Sequence, residues 1–415
     1  MFAALSQAMS QLEYGRFAFA FSGALILAQV SLCGQQQLVL KLLPTYIDED
    51  TRPIWRGAIA FSLGTVALGS ASMTLVMAVW GGLTADGASI LTGALLILPM
   101  AFAEYQSSVL RAQGHMMGAL LPRDVLWRIG VITVAGLSIT GVISPLSSVS
   151  AIALCAAILT LLLIGQSNLD PATRYHSALK GRTQSQAKEW RKLSTSFWVA
   201  SVVTVAAPNL SVVAIGSVHS PLETGPFFAA LKTAQLLTLV LLASNLAATP
   251  LISRAHRDGD TAEVRKICRF ISGAAGAFAI VGMLALVVTG KMALSVFGSG
   301  FTVAYADLLI IGLGFAVSAI CGPNGVLLQM AGEEGSFARL SLFWNGVGTI
   351  GLVPAVWLNG TIGAAVIICI TTIAWNLHAW VLCRTRVGID PSIVGVILPA
   401  PTIRSAKRSA TPQQP

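Results

Sequence analysis

Long apolar stretches limit what this chain can fold into more than any other feature of its sequence. Hydrophobic residues make up 55% of the 415 residues and charged residues only 10%, whereas soluble domains carry about 25% charged residues. A bilayer crossing takes about 20 helical residues, and an open strand would leave its backbone unsatisfied in lipid. We therefore predict an all-α polytopic membrane protein with about eleven transmembrane helices. The predicted spans are residues 15–43, 57–82, 89–110, 124–143, 147–164, 195–218, 225–252, 267–290, 304–330, 337–358 and 360–383.

The charges of the connections predict how these spans are oriented. Basic residues are concentrated in every second connection, and the connections between them are nearly uncharged. Of the 26 Lys and Arg residues, only Arg16, Lys232 and Lys291 lie on the uncharged side. We call the two sides the basic-loop face and the uncharged-loop face. Because basic connections remain in the cytoplasm, we expect the C-terminus and the central loop there. A nucleic-acid partner is not expected, despite a net charge of +9.

A polar loop at residues 166–194 divides the chain and is predicted to be a cytoplasmic linker between two halves; an ordinary long loop is the alternative. Residues 1–165 form an N-terminal bundle of five spans, and residues 195–387 form a C-terminal bundle of six. The tail, residues 388–415, is rich in Pro, Ser, Thr and basic residues. Such a composition predicts disorder.

The two halves share an internal repeat. A shift of 210 residues aligns both apolar and polar positions, among them a loop motif that is hard to obtain by chance. The matched pairs include Glu13 with Glu223, Gly15 with Gly225, Asp48 with Asp258, Asp50 with Asp260, and Thr51 with Thr261. The repeat leaves span 195–218 without a partner, so the first half is one helix short of a six-plus-six design with parallel repeats. A start-site error, a truncation and a real loss all remain open.

Short phrases along nearly the whole chain carry a resemblance to a known family. They are EYGRF (13–17), LRAQG (110–114), GPFFAA (225–230), PLIS (250–253), DGDT (258–261), VFGSG (296–300), VP (353–354) and GAA (363–365). In this order and spacing they resemble the lipid-linked oligosaccharide (O-antigen type) flippases of the multidrug/oligosaccharidyl-lipid/polysaccharide exporter superfamily. That family normally has twelve helices and begins one helix earlier.

The resemblance implies two helical bundles around a central cavity in the bacterial inner membrane. It implies that an undecaprenyl-diphosphate-linked oligosaccharide moves from the cytoplasmic to the periplasmic leaflet by alternating access, for surface polysaccharide synthesis. The expected partners are this lipid-linked oligosaccharide, membrane lipid, a coupling proton or sodium ion, and polysaccharide polymerase or ligase proteins.

Four cations are candidates for contact with an anionic diphosphate, since ionisable residues inside spans are costly and face a lumen by default. Lys232 lies about two turns into its helix, where no orientation rule requires a cation; snorkelling to headgroups is the alternative. Arg16 is a candidate for the same contact with the diphosphate, and anchoring to lipid headgroups is the alternative. For Lys41 and Arg128, the favoured interpretation is that they hold the orientation of their spans in the membrane.

Two carboxylates are candidates for a coupling ion. Glu104 forms a polar patch within the third span, and a buried carboxylate there would bind a proton or cation; pairing with Arg111 or Arg128 is the alternative. Asp307 lies at the start of its span, where a helix cap or an interface acid is the simpler interpretation.

Two amides, Asn209 and Asn324, are weaker cavity candidates. Each follows a proline, which frees backbone groups and allows helices to bend. Bridging between helices is the alternative.

The sequence contains no phosphate-binding loop, nucleophile elbow or His/Cys cluster, so we expect no catalytic residues, metal or cofactor. The competing hypotheses are a small-molecule or drug exporter of the same superfamily, a membrane-embedded oligosaccharide polymerase or ligase, and a truncated remnant without transport activity. A polymerase or ligase is disfavoured because every predicted external loop is short.

Overall fold

The computed structural model describes residues 1–46, 49–84, 87–169 and 183–393, and these contain helices and no strand. In chain order the helices are α1 (Phe2–Gln7), α2 (Gln11–Ser31), α3 (Gln35–Leu42), α4 (Arg52–Gly82), α5 (Gly87–Ala112), α6 (Met116–Leu120), α7 (Trp127–Ile139), α8 (Ser148–Leu169), α9 (Ala187–Val218), α10 (Pro221–Ala234), α11 (Leu239–Arg257), α12 (Thr261–Ser295), α13 (Tyr305–Cys321), α14 (Asn324–Met330) and α15 (Glu334–Leu382). The all-α polytopic prediction is confirmed.

Each predicted span corresponds to a helix, a broken helix or a helix pair. Within the described residues, seven helical stretches are long and apolar enough to cross a membrane, and α2 with α3, bent by 46°, makes an eighth. One of the seven, α15, contains two predicted spans, because non-helical dihedrals at Asn359 and Gly360 break it. Two further predicted spans fall short: α7 has only 13 residues, and only Val205–Val218 of α9 is strongly apolar.

The helix after the central loop begins earlier than predicted. We expected it at Thr195, whereas α9 begins at Ala187, so the end of the predicted linker, residues 187–194, is helical. The basic side chains of Arg174, Lys180 and Arg182 lie outside the described residues. The predicted domain boundaries themselves remain predictions.

Two breaks at glycine shape the spans. Between α2 and α3, Cys33 and Gly34 both have positive φ, of 47° and 75°. A Cβ on Gly34 would collide with the carbonyl oxygen of Ser194 in α9, so the break also permits close helix packing. Gly322, with φ of 76°, separates α13 from α14 in the same way. Glycine adopts such conformations without steric cost.

Contacts divide the chain into two compact units that cut across the sequence halves. Unit 1 consists of Met1–Ala234, Ala285–Ile311 and Ser341–Thr371. It therefore holds the whole first half, α9, and the second-half segments next to uncharged-loop connections. Its central helix is α2, which packs against α4, α5, α9 and α10.

Unit 2 consists of Gln235–Leu284, Gly312–Leu340 and the chain from Thr372 onward. Its most unexpected feature is the start of the predicted disordered tail, where Ile389, Asp390 and Ser392 are buried. The backbone N–H of Ile393 donates to the carbonyl oxygen of Ile320, at 3.0 Å. The packed part of the chain thus extends beyond residue 387, because apolar side chains at 389 and 393 and the acid at 390 find partners that composition alone does not reveal. The rest of the tail lies outside the described residues.

Candidate functional site

Lys232 lies on α10 beside a group of aromatic rings in unit 1. Its Nζ is 5.1 Å from the ring centroid of Phe228 and 5.9 Å from that of Phe2, which are distances at which a cation is attracted to a ring face. Phe2, Phe21 and Phe228 in turn contact one another edge to face. The lysine predicted to be functional is therefore held against rings from both sequence halves.

Arg128 joins this site, although the sequence placed it near the basic-loop face. It acts electrostatically on Lys232, and the neighbouring Trp127 stacks on Phe21 with centroids 6.5 Å apart. Residues 121–126 form a π-helical turn that leads directly into α7. Arg128 has a distant ion-pair partner, Asp124 at 3.8 Å, and its side chain is 57% exposed. We call Lys232, Arg128, Phe2, Phe21 and Phe228 the cation–aromatic cluster.

Arg16 and Lys41 have contacts of a different kind. Arg16 pairs with Glu13 at 2.9 Å, and Glu13 accepts hydrogen bonds from the backbone and hydroxyl of Ser148, each at 2.7 Å. This network ties α2 to the start of α8. Lys41, on α3, lies over the ring of Phe197 at 5.8 Å.

Glu104 is paired, as the alternative interpretation expected. Arg123 Nη2 lies 2.6 Å from one carboxylate oxygen and Arg111 Nη2 lies 3.5 Å from the other. Arg111 was named as a possible partner, whereas Arg123 takes the place predicted for Arg128. The π-helical turn after α6 brings Arg123 back to α5, and sequence periodicity gives no sign of that return.

Asp307, in the first turn of α13, is buried with only 2% of its surface exposed. Its carboxylate receives a side-chain hydrogen bond from Thr361 of α15. Its Oδ1 atom has no hydrogen-bond partner among the described residues. A buried carboxylate oxygen of this kind is costly and is suited to accept a proton or a cation.

The two amide candidates lie in different surroundings. Asn209 is buried on α9 and donates to the Val205 carbonyl oxygen within the same helix. Asn324, at the start of α14, donates to the Asn376 carbonyl oxygen at 3.2 Å, and thereby bridges two helices of unit 2. The Oδ1 atom of each amide has no partner among the described residues.

Contacts between the halves at the uncharged-loop face were not predicted. Gln7 donates to the Val296 carbonyl oxygen at 2.6 Å, and Gln11 donates to that of Leu222 at 3.1 Å. Beside them, a Cβ on Gly15 would collide with the carbonyl oxygen of Pro221. We call these three contacts the inter-half seam. Its partners are backbone carbonyl groups, which carry no sequence signature.

The described residues contain no group of three or more His, Cys, Asp or Glu side chains able to hold a metal ion. The six cysteines are free thiols, five of them buried. A site built from these parts offers cationic, aromatic and hydrogen-bonding surfaces to a ligand.

The chain is similar over most of its length to solved transporter structures. An inward-facing multidrug resistance transporter of the MATE family, in the MOP superfamily, matches with a TM-score of 0.72 and 13% identity over 93% of both chains. A MOP superfamily transporter from Pyrococcus furiosus, described as having a binding pocket of reverse polarity, matches with a TM-score of 0.63 and 13% identity over 93% of this chain and 90% of that one. The chain shares the fold of these transporters.

An outward-facing MATE family multidrug resistance transporter is also similar, with a TM-score of 0.61 and 14% identity over 93% of this chain and 91% of that one. No family model and no curated protein matches the chain. The superfamily inferred from the sequence phrases agrees with these neighbours in fold. The flippase subtype remains a prediction.

Proposed function

We propose that this chain is a membrane transporter that works by alternating access, and that the form described here is closed at the uncharged-loop face. The inter-half seam carries the proposal, because Gln7 and Gln11 of the first half donate to backbone carbonyl groups of the second half at that face. The higher TM-score with an inward-facing transporter than with an outward-facing one, 0.72 against 0.61, supports the same assignment.

For the cargo, we propose a small organic molecule exported from the cell. The similar structures named as multidrug resistance transporters support this class. The cation–aromatic cluster would favour a cargo with an acidic group and an apolar body, because Lys232 and Arg128 supply charge while the rings supply stacking surface. The P. furiosus transporter, described as having a binding pocket of reverse polarity, offers a precedent for a change of pocket polarity on this fold.

Lipid-linked oligosaccharide flipping is the second candidate, and the same two cations favour it. An undecaprenyl-diphosphate headgroup is an anion that would need such partners while it crosses the membrane. The sequence phrases that resemble the O-antigen flippases support it independently of the structure.

One genetic experiment separates the two candidates. In the exporter case, deletion of the gene lowers the resistance of cells to a panel of organic acids and drugs and leaves surface polysaccharide normal. In the flippase case, surface polysaccharide is lost and lipid-linked units accumulate on the cytoplasmic side. If neither changes while the protein is present in the membrane of the parent strain, the chain is not a transporter of either class.

For the coupling ion, we propose Asp307 rather than Glu104. Two arginines already neutralise Glu104, whereas Asp307 keeps an oxygen without a partner in a buried site. Transport into proteoliposomes by Asp307→Asn should lose its dependence on an imposed proton or sodium gradient, and Glu104→Gln should retain that dependence. Gradient-dependent transport by Asp307→Asn would contradict the assignment.

A further inference from the structure

One face of α9 is basic through its first turns. Lys188, Arg191, Lys192, Thr195 and Val199 together line an open cavity of about 760 Å³. At about 100° of rotation per residue, these five positions fall within an arc of about 100°. Glu189, the acid in the same turn, lies outside the arc, so the cavity wall is cationic.

The opposite face of α9 is fixed in the core of unit 1. Trp190 is only 2% exposed and packs in a cluster with Leu38 and Ala58. One turn later the backbone of Ser194 approaches Gly34 closely. Trp198, at the edge of the cationic arc, donates from Nε1 to the Val30 carbonyl oxygen at 2.8 Å. Because the packed face cannot rotate, the three cations are held together on the outer side.

The length of α9 places this cationic face at the membrane boundary. Its 32 residues extend about 48 Å, whereas the hydrocarbon core is about 30 Å thick. Its strongly apolar part is Val205–Val218, so the first turns extend beyond the hydrocarbon into the headgroup layer. The order along the face is three cations, then Thr195, then Val199, which is 39% exposed.

This order matches a phospholipid, with charge at one end and an apolar chain after it. The Thr195 hydroxyl donates to the Arg191 carbonyl oxygen at 2.7 Å, so its hydrogen is already used and the cations must carry the recognition of phosphate. Arg191 can hold a phosphate through two parallel hydrogen bonds, and the lysines act as point charges.

We infer that the cavity along α9 binds the headgroup of an anionic phospholipid at the basic-loop face, with an acyl chain descending past Val199. Basic pockets at this depth hold multiply charged headgroups. A lipid with two phosphates should therefore bind more tightly than one with a single phosphate. This site is separate from the cation–aromatic cluster and does not depend on the cargo.

The test measures lipid binding to the purified full-length protein. Native mass spectrometry in detergent would follow the titration of diphosphatidylglycerol, phosphatidylglycerol and the zwitterionic phosphatidylcholine. We expect affinity in the order given, and weakening as salt is raised. Each of Lys188→Gln, Arg191→Gln and Lys192→Gln should weaken diphosphatidylglycerol binding about fivefold, and the triple variant about 100-fold.

The matched control is Arg254→Gln with Lys266→Gln. These side chains belong to another basic connection predicted for the same face and are also exposed, at 81% and 79%. We expect that variant to bind diphosphatidylglycerol like the wild type. A triple variant that binds like the wild type, or a control that loses as much affinity, would overturn the site. The single variants preserve the test if the triple variant does not fold.

Competition with inorganic pyrophosphate distinguishes a lipid headgroup from a soluble phosphate as the bound group. We expect it to displace the lipid only weakly, because it lacks the apolar chain that follows Val199. Displacement at the same concentration as the lipid itself would show a site for a soluble anion and would overturn the lipid assignment.

Discussion

At the scale of single residues, Lys232 is the side chain whose position says most about the cargo. A lysine whose only role were to snorkel would extend toward headgroups. Instead, its Nζ lies over two aromatic rings, with Arg128 near enough to act on it. The two cations repel one another at this range, and an anionic ligand near both would relieve that repulsion.

Lys232→Ala should reduce transport about tenfold or more, because a hydrogen bond from a charged donor to an anionic cargo contributes about 1.5–3 kcal/mol. Lys232→Arg should retain a substantial part of the activity. The measurement is transport into proteoliposomes, normalised to the amount of protein inserted. The control is Lys291→Ala, since Lys291 also lies over a ring, that of Tyr305 at 5.5 Å, but outside the cluster. Equal loss in both variants would assign Lys232 a structural role only.

At the scale of helices, most residues of α2 are buried, on every side of the helix. Apolar and small residues surround its axis, and it packs against helices on several sides, chiefly α4, α5, α9 and α10, as expected for a helix without a polar stripe. It lies very close to α10, where a Cβ on Gly225 would lie 3.4 Å from the Cα of Gly15. These two glycines are the ones that the 210-residue repeat aligns, so equivalent positions of the two halves meet at the seam.

Gly15→Ala should therefore destabilise the form closed at the uncharged-loop face by about 1–3 kcal/mol, because the added methyl group would collide with the Pro221 carbonyl group. Spin labels placed across that face should report a larger separated population. Gly64→Ala is the control: its Cβ would meet nothing within 4 Å, and it should leave the population unchanged. An unchanged distance distribution in Gly15→Ala would mean that this crossing does not hold the face closed.

The chain's last packed segment offers a second prediction at this scale. Asp390 accepts hydrogen bonds from Trp380 Nε1 at 2.9 Å and from the backbone N–H of Ser392 at 3.0 Å, and pairs with Arg384 at 3.7 Å. Asp390→Ala leaves buried donors without a partner, so it should lower the free energy of unfolding by about 2 kcal/mol. Thermal unfolding in detergent would measure it. The control is Asp258→Ala, which removes a 66% exposed carboxylate 4.0 Å from Arg254 and should have little effect. A similar loss of stability in that variant would mean that removing an acidic charge, and not undocking the segment around Asp390, lowers the stability.

At the scale of the whole molecule, the sequence predicts the helical class and the positions of the spans because a bilayer requires long apolar helices. It does not predict how helices begin and break. The π-helical turn before α7 and the early start of α9 at Ala187 depend on local geometry and on the packing of Trp190, which hydropathy does not contain. The electrostatic effect of Arg128 on Lys232 depends on tertiary packing, so the sequence does not predict it either. Charge pairing was partly predictable, since Arg111 was a named partner of Glu104 and Arg123 was not.

The inter-half seam leads to the last prediction. If transport requires the uncharged-loop face to open, a covalent bridge across the seam must stop it. Gln7→Cys with Val296→Cys, joined by a short bifunctional thiol reagent, should reduce transport to background, because Gln7 and Val296 are in direct contact.

Glu13→Cys with Ser148→Cys is the matched control. These residues are also in contact, through hydrogen bonds of 2.7 Å, but both belong to the first half. Their bridge should form as readily, and transport after bridging should equal that of the unbridged double variant. A reducible reagent should restore transport in the Gln7–Val296 pair when the bridge is cleaved. Full activity with that pair bridged would mean that the two halves do not separate at this face, and alternating access of the proposed kind would have to be abandoned.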